Sequence, residues 1–191
     1  MNFISKISRF ILSRFHSVLY FLRIVRLKLL YPGITIDFKT RIEGNCSIVC
    51  IKGGRLIISN SKISFGTNII ADTGSILLID QSFIGRNCVI TAKKKVMINK
   101  NCLIAEMVVI RDQDHITKIL NGKHKQEEFV TAPVEIAENV WIGAKASILK
   151  GIQIGEFSVI AASAVVTKSV PSFQVWAGIP AKFMKQVTTT D

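Results

Sequence analysis

The chain has 191 residues, of which 49% are hydrophobic and 20% are charged. This length and composition fit a single domain with a sizeable core and exclude a long disordered protein. Because 25 Lys and Arg residues outnumber 13 Asp and Glu residues, the formal net charge of +12 favours an anionic partner: nucleic acid, an acidic membrane, a phosphorylated cofactor or an acidic polymer.

Residues 1–31 are the first predicted element, a basic amphipathic helix that Tyr31, Pro32 and Gly33 end. Apolar side chains recur at steps of three and four, and Lys or Arg residues interrupt them, whereas the first acidic residue is Asp37. Because charged residues interrupt every long apolar run, the pattern argues against both a transmembrane span and a secretory signal. The one-signed charge and the aromatics favour contact with an acidic membrane surface; packing on the protein or on a neighbouring subunit is the alternative.

From residue 34 onward a six-residue repeat replaces the helical spacing. The repeat is clearest in Ile136, Ile142, Ile148, Ile154, Ile160 and Val166, and it recurs in Ile84 and Ile90 and in Ile98, Ile104 and Ile110. A period of six suits a coil of short strands in which the phased residue points inward and stacks on its equivalents in neighbouring coils. Gly, Asn and Asp are expected at the corners, where the backbone turns left-handed. The repeat predicts a parallel β-helix, and an ordinary β-sandwich is the minor alternative.

The four cysteines predict no disulfide framework and no metal site. Cys46, Cys50, Cys88 and Cys102 form no C-x-x-C pair, and no histidine lies near them at zinc spacing. We interpret them as buried or half-buried thiols in a reducing compartment.

The repeat stops after Ile110 and resumes near Val134, so residues 111–133 are predicted to form an extruded loop, the kind of segment that carries function. In this loop, Asp112 and Asp114 precede His115. A neutral imidazole there could act as a general base near pH 7, with a nearby carboxylate or a backbone carbonyl holding its tautomer. A solvated histidine is the alternative, and it is the favoured interpretation for His124.

The C-terminal third contains the elements V-W-I-G, S-V-I, V-V-T-K and G-I-P-A-K. Over roughly residues 34–187 the chain resembles the hexapeptide-repeat acyltransferases, above all the bacterial sugar O-acetyltransferases of O-antigens, capsules and exopolysaccharides. The resemblance implies an all-β fold, a left-handed parallel β-helix with an N-terminal amphipathic helix and an extruded loop. The handedness comes from the resemblance alone, since parallel crossovers are otherwise right-handed. The expected divisions are a helix at 1–31, the acyltransferase domain at 32–187 and a tail at 188–191.

The resemblance also implies a mechanism. Acetyl-CoA would be the acyl donor, and a homotrimer would carry active sites between neighbouring subunits. His115 matches the family's catalytic histidine and would take a proton from a sugar hydroxyl as the oxygen attacks the thioester. A backbone N–H near Gly143 or Ala144 would hold the oxyanion, and no cysteine or metal is required.

The resemblance also assigns the coenzyme-binding positions of the family to individual residues of this chain. Gly143 and Ala144 end and follow V-W-I-G, and Ala162 is the small residue of the next coil. Thr167 and Lys168 match the T-K pair that contacts the coenzyme. Lys182 and Lys185 match basic positions that face its phosphates, and a solubilising surface charge is the alternative for each lysine.

The expected acceptor is a saccharide, free or lipid-linked, and the expected location is the cytoplasm, with contact to the inner face of the cell membrane through residues 1–31. A β-helical scaffold that needs neither His115 nor the terminal lysines is an alternative, as is an acetyltransferase for a small free sugar or another small acceptor. A γ-type carbonic anhydrase would need three converging histidines. The sequence contains no nucleic-acid recognition module, so nucleic acid is not an expected partner.

Overall fold

The computed structural model describes residues 3–120, 122–124 and 128–188, and the side chains of these except 3–13, 120 and 124. Parts of the predicted helix (1–2), loop (121 and 125–127) and tail (189–191) lie outside the described residues. Helix α1 spans Phe3–Leu30, and Pro32 follows its end because proline cannot donate the next helical hydrogen bond. Within the described ranges, no helix combines the length and the apolarity that crossing a bilayer requires.

Six coils of three short strands follow α1. The first three coils consist of β1 (Ile34–Ile36), β2 (Arg41–Ile42), β3 (Ser47–Cys50), β4 (Arg55–Ser59), β5 (Lys62–Ile63), β6 (Asn68–Ala71), β7 (Ile76–Asp80), β8 (Phe83–Ile84) and β9 (Val89–Ala92). The fourth coil and the insertion after it consist of β10 (Lys95–Ile98), β11 (Leu103–Ile104), β12 (Val109–Arg111), β13 (Gln113–His115), β14 (Ile119–Leu120), β15 (Lys123–His124) and β16 (Phe129–Thr131). The remaining strands are β17 (Val134–Ile136), β18 (Trp141–Ile142), β19 (Ser147–Ile148), β20 (Gln153–Ile154), β21 (Val159–Ile160), β22 (Val165–Val166), β23 (Gln174–Ala177) and β24 (Lys182–Gln186).

Equivalent strands stack into three sheets that form the faces of a prism. Sheet A has the order β1-β4-β7-β10-β17-β20, sheet C has the order β3-β6-β9-β12-β19-β22, and sheet B runs from β2 through β5, β8, β11, β18 and β21 to β23 and β24. Within these three sheets, neighbouring strands pair in parallel, except that β24 runs antiparallel to β23. The parallel β-helix, its N-terminal helix and the extruded insertion are therefore confirmed.

The six-residue period arises because three successive phased residues occupy three successive sheets. Ile136 lies on sheet A, Ile142 on sheet B and Ile148 on sheet C, and the next residue of the series, Ile154, pairs with Ile136 on sheet A. On sheet B the same register stacks Ile42, Ile63, Ile84, Ile104, Ile142 and Ile160. All six are buried, and each contributes about 1.5–3 kcal/mol of hydrophobic stabilisation.

The corners confirm the expected left-handed backbone. Positive φ angles occur at Asn45, Asn60, Asn87, Asn101 and Asn139. Phe157 and Phe173 adopt the same conformation, with φ angles of 57° and 60°, which bulky side chains rarely do. Their half-exposed rings stack with centroids 5.0 Å apart. The aromatic pair therefore continues a corner position that Asn139 holds one coil earlier.

The cysteines are free thiols, three buried and Cys46 half-buried, as predicted. Burial raises the pKa of all four thiols, that of Cys88 to about 11. The Cys102 thiol donates to the carbonyl oxygen of Ala137 at 3.0 Å, a contact between neighbouring coils. Protonated thiols are poor nucleophiles, so these side chains serve the packing of the prism.

Candidate active site

The insertion between β12 and β17 is an antiparallel hairpin rather than an irregular loop. Strand β13 pairs with β16, and β14 pairs with β15 farther out. The hairpin leaves the prism at the corner between sheet C and sheet A, where the chain would otherwise continue from β12 into β17. Its root is therefore held by the scaffold.

Asp112 anchors this root. Its carboxylate is fully buried, and its oxygens accept hydrogen bonds from the backbone N–H groups of Lys93 at 2.8 Å and of Lys94 and Lys95 at 2.7 Å each. Its carbonyl oxygen accepts another from the N–H of Ala132, on the returning arm. The carboxylate therefore binds the backbone of the previous coil, and an orienting role of Asp112 toward His115 stays a prediction.

His115 lies at the end of β13, opposite Phe129 of β16. The two ring centroids are 4.3 Å apart at an interplanar angle of 40°, and the imidazole is exposed. The Lys93 ammonium lies 4.2 Å from the centroid of the Phe129 ring and forms an ion pair with Asp72. The histidine is thus supported by an aromatic ring that the prism itself holds.

Asp114, the second predicted orienting carboxylate, accepts a hydrogen bond from the Lys150 ammonium at 2.6 Å. Successive side chains of a strand point to opposite faces, so Asp114 and His115 occupy opposite faces of β13. Asp114 therefore ties the hairpin to the fifth coil, and an orienting role for its carboxylate stays a prediction.

Gly143, Ala144 and Ala162 lie at the corner between sheets B and C. A Cβ atom on Gly143 would stand 2.6 Å from the backbone nitrogen of Ala162, so the close approach of the coils requires glycine. The Gly143 N–H already donates to the carbonyl oxygen of Ile160 at 2.7 Å. Within the described part of the chain no acceptor engages the Ala144 N–H, so Ala144 is the better candidate of the two for an oxyanion donor.

The predicted coenzyme residues near the C-terminus share a cleft. Thr167, Lys168 and Lys182 line a hollow of about 290 Å³ together with Trp176 and Pro180. Both lysines are exposed, as is Lys185 farther along β24, opposite Val175. The arrangement offers a basic, partly apolar groove at the C-terminal end of the prism.

One chain does not gather all predicted residues around His115. The hairpin root and the Thr167–Lys168 pair follow sheet C in the fourth and sixth coils, about 10 Å apart along the axis at the spacing of β-strands. Ala144 and Ala162 lie at the other corner that borders sheet C, where the chain passes from sheet B into sheet C. Within residues 3–120, 122–124 and 128–188, no three His, Cys, Asp or Glu side chains are arranged to hold a metal ion.

Sequence reasoning missed the residues that hold the hairpin in place around His115. Phe129 is the only Phe, Tyr or Trp between residues 111 and 133, and this isolation could have drawn attention to it. Gln113, two residues before His115 and on the same face of β13, donates to the Thr91 hydroxyl at 2.9 Å and attaches the hairpin to sheet C. No sequence signal indicates the contact of Lys93 with Phe129.

Comparisons with known proteins agree with the repeat and the fold. Residues 133–168 match the family described as bacterial transferase hexapeptide (six repeats). The galactoside O-acetyltransferase of Escherichia coli (strain K12) is 34% identical over 119 residues, which cover 62% of this chain and 58% of the relative. The chain spans between 55% and 61% of the length of the first curated relatives that it matches.

Solved structures share the fold. The crystal structure of the polySia specific acetyltransferase NeuO has a TM-score of 0.62 and 29% identity, covering 83% of this chain and 68% of that one. A point mutant of AntD, an N-acyltransferase from Bacillus cereus solved with dTDP-4-amino-4,6-dideoxyglucose and coenzyme A, has a TM-score of 0.66 at 18% identity over 86% of this chain and 89% of that one. The fold is that of the left-handed β-helix acyltransferases, as predicted. The repeat, the prism and these relatives make the chain similar to the hexapeptide-repeat transferases, whose family model matches residues 133–168.

Proposed function

We propose that the protein transfers an acetyl group from acetyl-CoA to a sugar hydroxyl of a bacterial surface polysaccharide or of its lipid-linked precursor. The observation that carries the proposal is His115: an exposed imidazole, backed by Phe129, at the root of a hairpin that a buried carboxylate anchors to the prism. Relatives that act as galactoside and polySia acetyltransferases support a sugar acceptor.

His115 is the general base of the proposed reaction. It removes the proton of the acceptor hydroxyl as that oxygen attacks the carbonyl carbon of the thioester, and a backbone N–H, for which Ala144 is the candidate, stabilises the oxyanion. When the tetrahedral intermediate collapses, the carbon–sulfur bond breaks and the imidazolium protonates the leaving thiolate. The products are an O-acetyl ester and the free thiol of coenzyme A.

The cysteines support direct transfer. An acyl-enzyme on cysteine would require a thiolate, but burial raises the pKa of all four thiols. Three of the four side chains are buried in the prism, out of reach of a bulky thioester. The imidazole of His115 is exposed, and general-base catalysis by it needs no covalent intermediate.

The cleft lined by Thr167, Lys168 and Lys182 is the proposed coenzyme site. Lysine ammonium groups bind phosphate oxygens through charge-assisted hydrogen bonds, and the apolar wall of Trp176 suits the uncharged part of the coenzyme. Lys185 lies farther along the same strand and extends the positive charge.

The proposed assembly is a homotrimer with sites between subunits. Ala144 and His115 lie at the two different corners of the prism that border sheet C, so one chain cannot present both to the same thioester. A second copy could bring its own corner between sheets B and C to the hairpin. The separation within one chain therefore favours a shared site.

Release of free thiol from acetyl-CoA in the presence of acceptor tests the proposal. We expect His115→Asn to reduce the rate by about 10²–10⁴-fold, the usual contribution of a general base, while its circular dichroism spectrum stays unchanged. His124→Asn, in the same hairpin, is the matched control and should keep the wild-type rate. Equal rates for the two variants would overturn the role of His115, and a wild-type protein that never releases thiol would favour the scaffold alternative.

Mass spectrometry of surface glycans addresses the acceptor. Cells that carry the gene should produce polysaccharide with additional acetyl groups, and cells without it should not. Acetylation confined to small free sugars would replace the polysaccharide proposal with the small-acceptor alternative.

A further inference from the structure

Helix α1 has an apolar face that one chain leaves uncovered. Phe15, Val18, Leu22 and Leu29 are 59%, 56%, 54% and 80% exposed, and their spacing places them in one row along the helix. Val25, half-buried, fills the gap in this row. We call these five residues the helix face. Exposed apolar rows of this length on soluble proteins mark an interaction surface.

The opposite side of α1 packs on the prism. Ile24 is fully buried in the core, and Leu27 and Tyr31 pack against it. The Arg23 guanidinium donates to the carbonyl oxygen of Ile42 at 2.8 Å and fixes the rotation of the helix about its own axis. Because Ile24 and Leu27 lie on the far side from the helix face, the fold of one chain holds that face outward.

The charge of α1 indicates what covers the helix face. Arg14 and Arg26 border the row on either side, Lys28 lies beyond Arg14, and residues 3–30 include no Asp or Glu. A second copy of this helix would meet the same cations at the edges of its own row, and like charges repel. A surface of anionic lipid headgroups would attract them, while the apolar row enters the acyl boundary.

Aromatic side chains widen the face toward the prism. Phe21 stacks on Phe38, which lies between β1 and β2, with ring centroids 5.3 Å apart. The Lys28 ammonium lies 4.5 Å from the centroid of the Phe38 ring, and Phe38 itself is exposed. Aromatic rings with neighbouring cations are well suited to the interface between headgroups and acyl chains.

We propose that the helix face docks the protein on the surface of a bilayer that contains anionic lipid, with α1 lying in the plane of the interface. The prism, held on the other side of the helix, remains in the water. Docking is independent of acetyl transfer, and a trimer would strengthen it because three helix faces would engage the same surface.

Flotation of the full-length protein with lipid vesicles is the test. We expect the wild type to float with vesicles of phosphatidylcholine and phosphatidylglycerol, to bind vesicles of phosphatidylcholine alone far less, and to lose binding as salt is added. Leu22→Glu should lower binding about tenfold or more, because it removes an exposed apolar side chain that would enter the acyl boundary and adds a negative charge. Leu103→Glu is the matched control, since Leu103 is also 54% exposed but lies on sheet B, and it should bind like the wild type.

The charges are tested separately. Arg26→Gln combined with Lys28→Gln should lower binding by about fivefold per charge removed, whereas Lys52→Gln combined with Lys100→Gln should leave it unchanged. Light scattering of each variant in solution reports the oligomeric state. The proposal is overturned if the wild type does not float, if Leu22→Glu and Leu103→Glu bind equally, or if Leu22→Glu dissociates the oligomer, which would make the helix face a contact between subunits.

Discussion

The six coils and the hairpin that interrupts them are built in different ways. In the coils, equivalent aliphatic residues stack in parallel register, and the backbone groups of one coil bond to those of the next. In the hairpin, β13 and β16 share three residue pairs and β14 and β15 share two, and most described side chains are exposed. The coils form a rigid scaffold, whereas the hairpin, which carries the proposed general base, depends on a few contacts for its position.

The difference shows where stability and activity can be separated. A coil distributes its stabilisation over three sheets, so every phased residue contributes to the stability of the whole prism. The hairpin concentrates its attachment on Asp112, Gln113, Asp114 and the Phe129–Lys93 contact. Substitutions in the coils should therefore act on global unfolding, and those at the hairpin root on local order around His115.

The largest expected effect on stability is in the coils. Ile142→Ala should lower the free energy of unfolding by about 2–5 kcal/mol, because it leaves a cavity within the stack on sheet B. Ile119→Ala, in the hairpin and 69% exposed, should change it by less than about 0.5 kcal/mol. Urea denaturation measures both. Similar values for the two variants would contradict the division between coil and hairpin.

Asp112→Ala should come next. It leaves three part-buried backbone N–H groups without their acceptor. Because water can reach these groups in part, we expect a total cost of about 1–3 kcal/mol. We expect hydrogen exchange to accelerate in residues 111–133 and thiol release to fall, because His115 loses its fixed position. Asp114→Ala removes only an exposed ion pair and should cost under about 1 kcal/mol. If Asp114→Ala disturbs the hairpin as much as Asp112→Ala does, Asp112 is not the anchor.

Substitutions in the proposed coenzyme cleft should change the affinity for acetyl-CoA and leave the fold intact. Lys168→Gln and Lys182→Gln should each raise the KM for acetyl-CoA by about tenfold, as expected for the loss of one charge-assisted hydrogen bond to phosphate, with little change in kcat. Steady-state kinetics give both constants, and Lys100→Gln, at an exposed site outside the cleft, is the control. An unchanged KM in both variants would place the coenzyme elsewhere.

The smallest effect concerns the ion pair that joins the prism to Phe129. The hydrogen bond from the Lys93 ammonium is the main reason that the pKa of Asp72 lies below its usual value of 3.8. The pair should therefore contribute its full stability above the unfolded pKa and lose it as the pH falls through the lower folded pKa, by about 1 kcal/mol at most. Urea midpoints of wild type and Asp72→Asn should differ at neutral pH and converge in acid. A difference that persists in strong acid would contradict this assignment.

Much of the fold was predictable because each coil repeats the same solution. A phased aliphatic residue every six positions, such as Ile136 and Ile142, is enough to indicate a triangular coil and the place where it breaks. The candidate roles of His115 and of the C-terminal lysines came from family resemblance and stay predictions, although Thr167, Lys168 and Lys182 do share a cleft.

The remaining features depend on contacts that span the stack. Asp112 reaches backbone groups 17 to 19 residues earlier, and this pairing exists only because the coils bring them together. The engagement of the Gly143 N–H by Ile160 depends on strand register, which the repeat does not specify by itself. Phe157 and Phe173 occupy corner positions where local preference argues against aromatic residues, so no propensity rule predicts their stacked pair.

The position of helix α1 determines whether the first coil of the β-helix is covered. A β-helix has two open ends, each with unpaired strand edges on which another solenoid could grow into a filament. Helix α1 caps the first coil, because it contacts β1 and β2 and inserts Ile24 into the core. A protein shortened by this helix should therefore tend to polymerise end to end, independently of the proposed docking on lipid.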